Sequence, residues 1–151
     1  MSVEAHLDDA FMLLAIAEAR SNHGLTAPNP SVGCVLVKDG AVLAVAATAA
    51  GGRPHAEEQA LAEAGELARG ATAYVTLEPC GARSSGSASC AGLLVHSGVA
   101  RVVIACEDPS PFASGQGTEA LRAAGVEVVS GVLARDAVPL YEAWLATLAS
   151  Q

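Results

Sequence analysis

Arg101-Val102-Val103-Ile104-Ala105-Cys106 sets four apolar residues in succession with no polar residue between them. A strand with one wet face alternates apolar and polar side chains, whereas a strand covered on both faces does not. The hexapeptide therefore predicts a central strand buried above and below. Downstream, Thr118 to Ala124 reads as a short helix capped by Gly125, Val126 to Val129 as another strand, and Val138 to Leu148 as an amphipathic helix. A helix between two strands favours a parallel crossover over a hairpin.

Upstream, Ala73 to Leu77 is a short β-rich run stopped by Glu78-Pro79-Cys80, and Cys90 to Ser97 is a helix closed by Gly98 as a left-handed cap. His55 to Ala68 carries the helical stripe Ala60, Leu61, Ala64, Leu67 and Ala68, ended by Gly70. Before it, Val32 to Val37 and Ala41 to Ala47 flank Lys38-Asp39-Gly40, and Asp-Gly between apolar runs is a strong hairpin signal. Asp8 to Ser21 places Phe11, Leu14, Ala15 and Glu18 at helical spacing. Thr26-Ala27-Pro28-Asn29-Pro30 has two prolines within three residues and cannot continue that helix. The expected fold is a three-layer α/β/α domain over residues 1–151, with a mixed five-stranded sheet whose last two strands are parallel.

Composition narrows the partners. The chain has 151 residues, 33 of them alanine and five aromatic, with a formal net charge of -8. Lys38 is the only lysine, and no basic cluster is present to neutralise phosphates, so no nucleic-acid partner is expected. The longest strongly apolar stretch, Ala41 to Ala50, is half of the roughly 20 residues that a membrane span needs. Glu4, Asp8 and Asp9 occupy the start, where a secretory signal would be basic. A cytoplasmic protein without a membrane partner is expected, with its four cysteines as thiols.

Three separated pieces carry chemistry: His55-Ala56-Glu57, Pro79-Cys80 and Cys90. Catalytic zinc sites use three protein ligands and keep a fourth position for water, whose pKa falls to about 7. His55, Cys80 and Cys90 meet that count, one Zn2+ per chain. Each lies at or near the start of an expected helix, where the helix dipole favours thiolate. Glu57, two residues past His55, is placed beside the metal as a proton shuttle. His-x-Glu, then Pro-Cys, then a second Cys is the arrangement of zinc nucleobase deaminases, which replace a ring amine by oxygen and release ammonia.

At finer grain, the chain resembles the deaminase domain of the bifunctional riboflavin-biosynthesis deaminase/reductase, within the zinc-dependent cytidine/deoxycytidylate deaminase superfamily. The resemblance runs from about Asp9 to Trp144. It is carried by Thr26-Ala27-Pro28-Asn29-Pro30-Ser31-Val32-Gly33-Cys34-Val35, Gly52-Arg53-Pro54-His55-Ala56-Glu57, Ala73-Tyr74-Val75-Thr76-Leu77-Glu78-Pro79-Cys80, Asp108-Pro109-Ser110-Pro111 and Ala124-Gly125-Val126-Glu127-Val128. It implies a diaminohydroxyphosphoribosylaminopyrimidine-type substrate, with Asn29, the Ala56 backbone and Glu57 binding the pyrimidine. It also implies a homo-oligomer.

Two positions depart from the family pattern. Nine residues, Gly81 to Ser89, separate the cysteines where the family has eight, and Thr48 stands where it tends to have a histidine. Both are associated with ribose and phosphate contacts, for which Arg53 and Arg83 are the substitutes at hand. No reductase domain is expected after Gln151. Glu78 is read either as orienting a ligand or as bonding a local backbone amide, and Cys34 and Cys106 as buried packing residues. His6, His23 and His96 have no partnering pattern. The alternatives are deamination of another base or nucleoside, such as guanine or cytosine, and a catalytically silent zinc-stapled binding domain.

Overall fold

The computed structural model describes residues 2–81, 89–108 and 115–149. Along the chain run α1 (Val3–Ser21), β1 (Gly33–Lys38), β2 (Ala41–Ala47), α2 (Ala56–Ala64), β3 (Thr72–Leu77), α3 (Cys90–Ser97), β4 (Arg101–Cys106), α4 (Gln116–Ala123), β5 (Glu127–Ser130), α5 (Ala134–Ala137) and α6 (Glu142–Ala149). The strands lie in the order β2-β1-β3-β4-β5. β1 is antiparallel to β2 and β3, whereas β3, β4 and β5 are mutually parallel. The expected mixed sheet is present, and its parallel side includes β3 as well as the last two strands.

Each inner strand feeds two cores. Cys34, Leu36, Val75, Val102 and Ile104 pack against Ala56, Ala60, Ala64, Ala91, Leu94 and Leu121 of α2, α3 and α4. Their neighbours Val35, Val37, Tyr74, Val103 and Ala105 point the other way, onto Met12, Ala15, Ile16 and Ala19 of α1 and Ala137, Leu140 and Tyr141 near the C-terminus. Successive strand side chains face opposite sides, so a run apolar at every position needs a layer on each. Glycine on the strand lets helix and sheet backbones approach closely: a Cβ on Gly33 of β1 would lie 1.9 Å from the Ala15 carbonyl oxygen of α1. Among the described residues no helix is long and apolar enough to cross a membrane.

Strand ends differ from the sequence reading by one residue at most, and four helix limits differ by two or more, each for a physical reason. α1 starts at Val3 instead of Asp8, where Ser2 Oγ accepts the Ala5 N–H at 3.1 Å. Its buried face is Asp8, Met12, Ala15, Ile16 and Ala19, and the carboxylate on that face masks the apolar period. The run expected to stay helical to Ala68 leaves the α-helix after Ala64 and closes as a 3-10 turn over Gly65–Ala68.

α4 begins at Gln116, two residues early, because the Thr118 N–H in its first turn is accepted by Glu78 of another element. The single helix expected from Val138 to Leu148 is divided into a 3-10 turn at Val138–Leu140 and α6, and the short α5 precedes it. Pro139 supplies no N–H there. Tyr141 turns inward instead, its hydroxyl 2.6 Å from Thr76 Oγ1.

Candidate active site

The end of β3 and the starts of two helices meet at one point. β3 stops at Leu77, and Glu78-Pro79-Cys80 carries the chain past the edge of the sheet; His55 caps α2, and Cys90 is the first residue of α3. Donor atoms of His55, Cys80 and Cys90 all lie within 4.8 Å of one another. His55 Nδ1 is 3.3 Å from Cys90 Sγ, and the Cys90 N–H donates to Cys80 Sγ at 3.2 Å. Tetrahedral zinc with ordinary bond lengths sets nitrogen and sulfur about 3.5 Å apart and two sulfurs about 3.8 Å apart. One imidazole nitrogen and two thiols at this spacing fit that ion. The N-terminal end of α3 and the amide aimed at Cys80 Sγ both favour thiolate.

Glu57 sits in the first turn of α2 and is 4% exposed. Burial pushes its carboxyl up to about 7 from the usual 4.5; a backbone hydrogen bond opposes the rise and the neighbouring Cys80 thiol adds to it. Next to it, Glu58 Oε1 accepts the His55 N–H at 3.2 Å, which ties the cap residue to its helix.

His55, Glu57, Cys80 and Cys90 form one wall of a cavity of about 190 Å³. Asn29, Pro30, Val32, Thr48, Leu77, Glu78, Asp108 and Trp144 complete its lining. Asn29 Nδ2 donates to the Gly52 carbonyl at 2.9 Å. A carbonyl can only accept, so this bond fixes which end of the amide is nitrogen. A second cavity, of about 450 Å³, lies between residues 23–31 and α6 and shares Asn29, Pro30 and Trp144 with the first.

Of the residues singled out from sequence, His55, Glu57, Cys80, Cys90 and Asn29 converge on the first cavity. Ala56 lies between His55 and Glu57 with its side chain fully buried and is not among the cavity's lining residues. Arg83 lies outside the described residues. Thr48 lines the cavity, but its hydroxyl serves the backbone: the Val32 N–H donates to Thr48 Oγ1 at 2.9 Å. Glu78 bonds backbone amides, as its second reading has it, but those of the distant Asp108, Gly115 and Thr118 instead of a local one. Cys34 is buried and Cys106 half-buried, both in strands. His6, His23 and His96 take no part in the His-Cys-Cys group.

Sequence reasoning assigned no site role to Asp108 or Trp144. The motif Asp108-Pro109-Ser110-Pro111 was a signal for the first. Trp144 carries none; it reaches the cavity from α6.

The family described as the cytidine and deoxycytidylate deaminase zinc-binding region matches residues 5–106. Over 136 residues the chain is 46% identical to the riboflavin biosynthesis protein RibD of Aquifex aeolicus, covering 90% of this chain and 38% of that protein. Over 129 residues it is 42% identical to the diaminohydroxyphosphoribosylamino-pyrimidine deaminase of Buchnera aphidicola, covering 85% of this chain and 87% of its relative. The solved structure of RibD from Acinetobacter baumannii superposes with a TM-score of 0.90 at 44% identity, over 95% of this chain and 40% of that one. The chain thus spans about two-fifths of the length of the RibD proteins it matches.

Proposed function

The chain belongs to the cytidine and deoxycytidylate deaminase zinc-binding family, and from that premise we propose that it hydrolytically deaminates a diaminohydroxyphosphoribosylaminopyrimidine-type riboflavin precursor. The observation that carries this reading is the meeting of three metal donors with a buried carboxylate on one cavity wall. His55, Cys80 and Cys90 would hold one zinc ion. When bound, zinc supplies Lewis acidity that makes water nucleophilic near neutral pH.

The protein's own residues do the rest. Glu57, shielded from solvent, takes a proton from the attacking water and returns it to the ring nitrogen beside the amidine carbon. A second proton leaves with the amine as ammonia, so water and amidine become a ring carbonyl plus ammonia. Asn29, its amide held by Gly52, and the Ala56 backbone at the start of α2 pair with the polar edge of the pyrimidine. A site built to hydrogen-bond such an edge rejects rings that lack it. Arg83 is the proposed cation for the phosphate.

One observation favours a second reading, an unphosphorylated base or nucleoside as substrate. The described lining holds the carboxylic acids Glu57, Glu78 and Asp108 and, among the described residues, no lysine or arginine. The deciding experiment measures ammonia release from the phosphoribosyl precursor, its dephosphorylated form, cytidine and guanine, for wild type and Glu57→Gln. Turnover of the precursor, lowered about 10²- to 10⁴-fold by the substitution, is expected. Preference for a substrate without phosphate supports the second reading, and a zinc-loaded chain inert toward every ring sinks both.

A cytoplasmic location and a homo-oligomer complete the proposal. The absence of a membrane-crossing helix among the described residues is consistent with the first. Leu7, Leu13 and Leu14, left exposed on α1, support the second, and light scattering on the purified chain measures it.

A further inference from the structure

Glu78 lines the cavity, yet both of its oxygens serve the backbone. Oε1 accepts the N–H groups of Asp108 and Gly115, each at 3.1 Å, and Oε2 accepts that of Thr118 at 3.0 Å. Gly115 caps α4 and has no side chain with which to accept first-turn amides. Glu78 does so from the end of β3, placing its charge where a helix favours an anion. Packing on either side is equally close. A Cβ on Gly117 would lie 1.8 Å from the Pro79 carbonyl oxygen, and one on Gly81 would lie 2.9 Å from the Gln116 carbonyl carbon. The segment that delivers Cys80 and the start of α4 thus form one packed unit, to which the Asp108 backbone is tied at the cavity's edge.

We propose that Glu78 is a positioning residue for substrate, acting through Asp108. By holding the Asp108 amide it sets where that residue meets the N–H and O–H groups carried by the ring. The inference rests on the reading of this cavity as the deamination site.

The test uses the full zinc-loaded chain and whichever ring the wild type deaminates. Steady-state constants are measured for wild type, Glu78→Gln, Asp108→Ala and the double variant. Glutamine has the same shape but turns one acceptor oxygen into an NH2, which cannot accept from a backbone N–H. Glu78→Gln is expected to raise KM about tenfold, with kcat and zinc content held. In the Asp108→Ala background the same change should alter kcat/KM by less than about twofold, because residues acting through one contact are not additive.

If Glu78→Gln does not fold, Gly115→Ala makes the same test. Its methyl meets nothing within 4 Å, but alanine must hold φ +80° beside the amide that Glu78 accepts. A lowered melting temperature with KM unchanged overturns the proposal, and so does an undiminished effect in the Asp108→Ala background. An inert wild type overturns the functional reading and this inference together. An active wild type without coupling overturns the inference alone.

Discussion

At Gly52 the backbone turns through φ +96°, and a Cβ there would lie 2.8 Å from both Asn29 Nδ2 and the Thr26 carbonyl oxygen. Only glycine lets the chain pass so close to the side chain that its own carbonyl orients. Gly52→Ala should therefore displace Asn29, raising KM for the ring about tenfold while zinc content stays at the wild-type level; steady-state kinetics beside metal analysis checks this. The metal donors make the opposite prediction. Cys90→Ser replaces a soft thiolate by a hydroxyl, and the purified variant should carry less than about one-tenth of the wild-type zinc. His55, Glu57, Cys80 and Cys90 were legible in the sequence because residue type and chain order carry their chemistry, whereas Asn29 was implied by the family resemblance alone. Asp108 and Trp144 were not assigned, because a carboxylate or an indole becomes a cavity wall only through where its neighbours send it.

Between elements, the chief polar join is Asp8 of α1 with Arg101 of β4. The guanidinium donates to both carboxylate oxygens, at 2.8 and 2.6 Å, and Tyr74 of β3 donates its hydroxyl at 2.7 Å. Burial alone would raise the Asp8 carboxyl, but the bonds from Arg101 and Tyr74 and the positive charge outweigh it and hold the group below its usual 3.8. A carboxyl whose pKa is lowered by folding stabilises the native state at pH values above its unfolded value and stops doing so as pH falls through the folded one. Asp8→Asn should thus cost about 2 kcal/mol at pH 7. The gap from wild type should close as denaturant melts are taken from pH 5 down through and below 3.8. A gap that persists unchanged in acid contradicts the assignment.

Tyr141 makes a second join, through Thr76 Oγ1, which also accepts the Gly33 N–H at 2.9 Å. Tyr141→Phe is expected to destabilise by about 1 kcal/mol in thermal melts. These joins explain why helix existence was readable and helix limits were not. Asp8 broke the apolar period of α1, Pro139 and Tyr141 broke α6 from its expected start, and Glu78 lengthened α4 by capping it from afar.

At the scale of the whole molecule, one sheet is shared by two cores, and the strand that first revealed the fold belongs to both. Ile104 is fully buried under α2, α3 and α4. Ile104→Ala should cost roughly 2–5 kcal/mol in denaturant melts, the range for a large side chain removed from a packed interior. The hexapeptide at 101–106 was decisive because covering both faces of a strand leaves a mark in every residue, and the Asp-Gly turn and helix-closing glycines are equally local. The sequence by itself determined the layers, the strands and the donor set. Tertiary structure alone decided that Thr48 spends its hydroxyl on Val32, that Glu78 accepts the first-turn amide of α4, and that Trp144 reaches the cavity. Hydrophobic period and turn chemistry act over a few residues and are written in order along the chain. Convergence at the ends of parallel strands depends on contacts between segments far apart in that order, and only the folded chain brings them together.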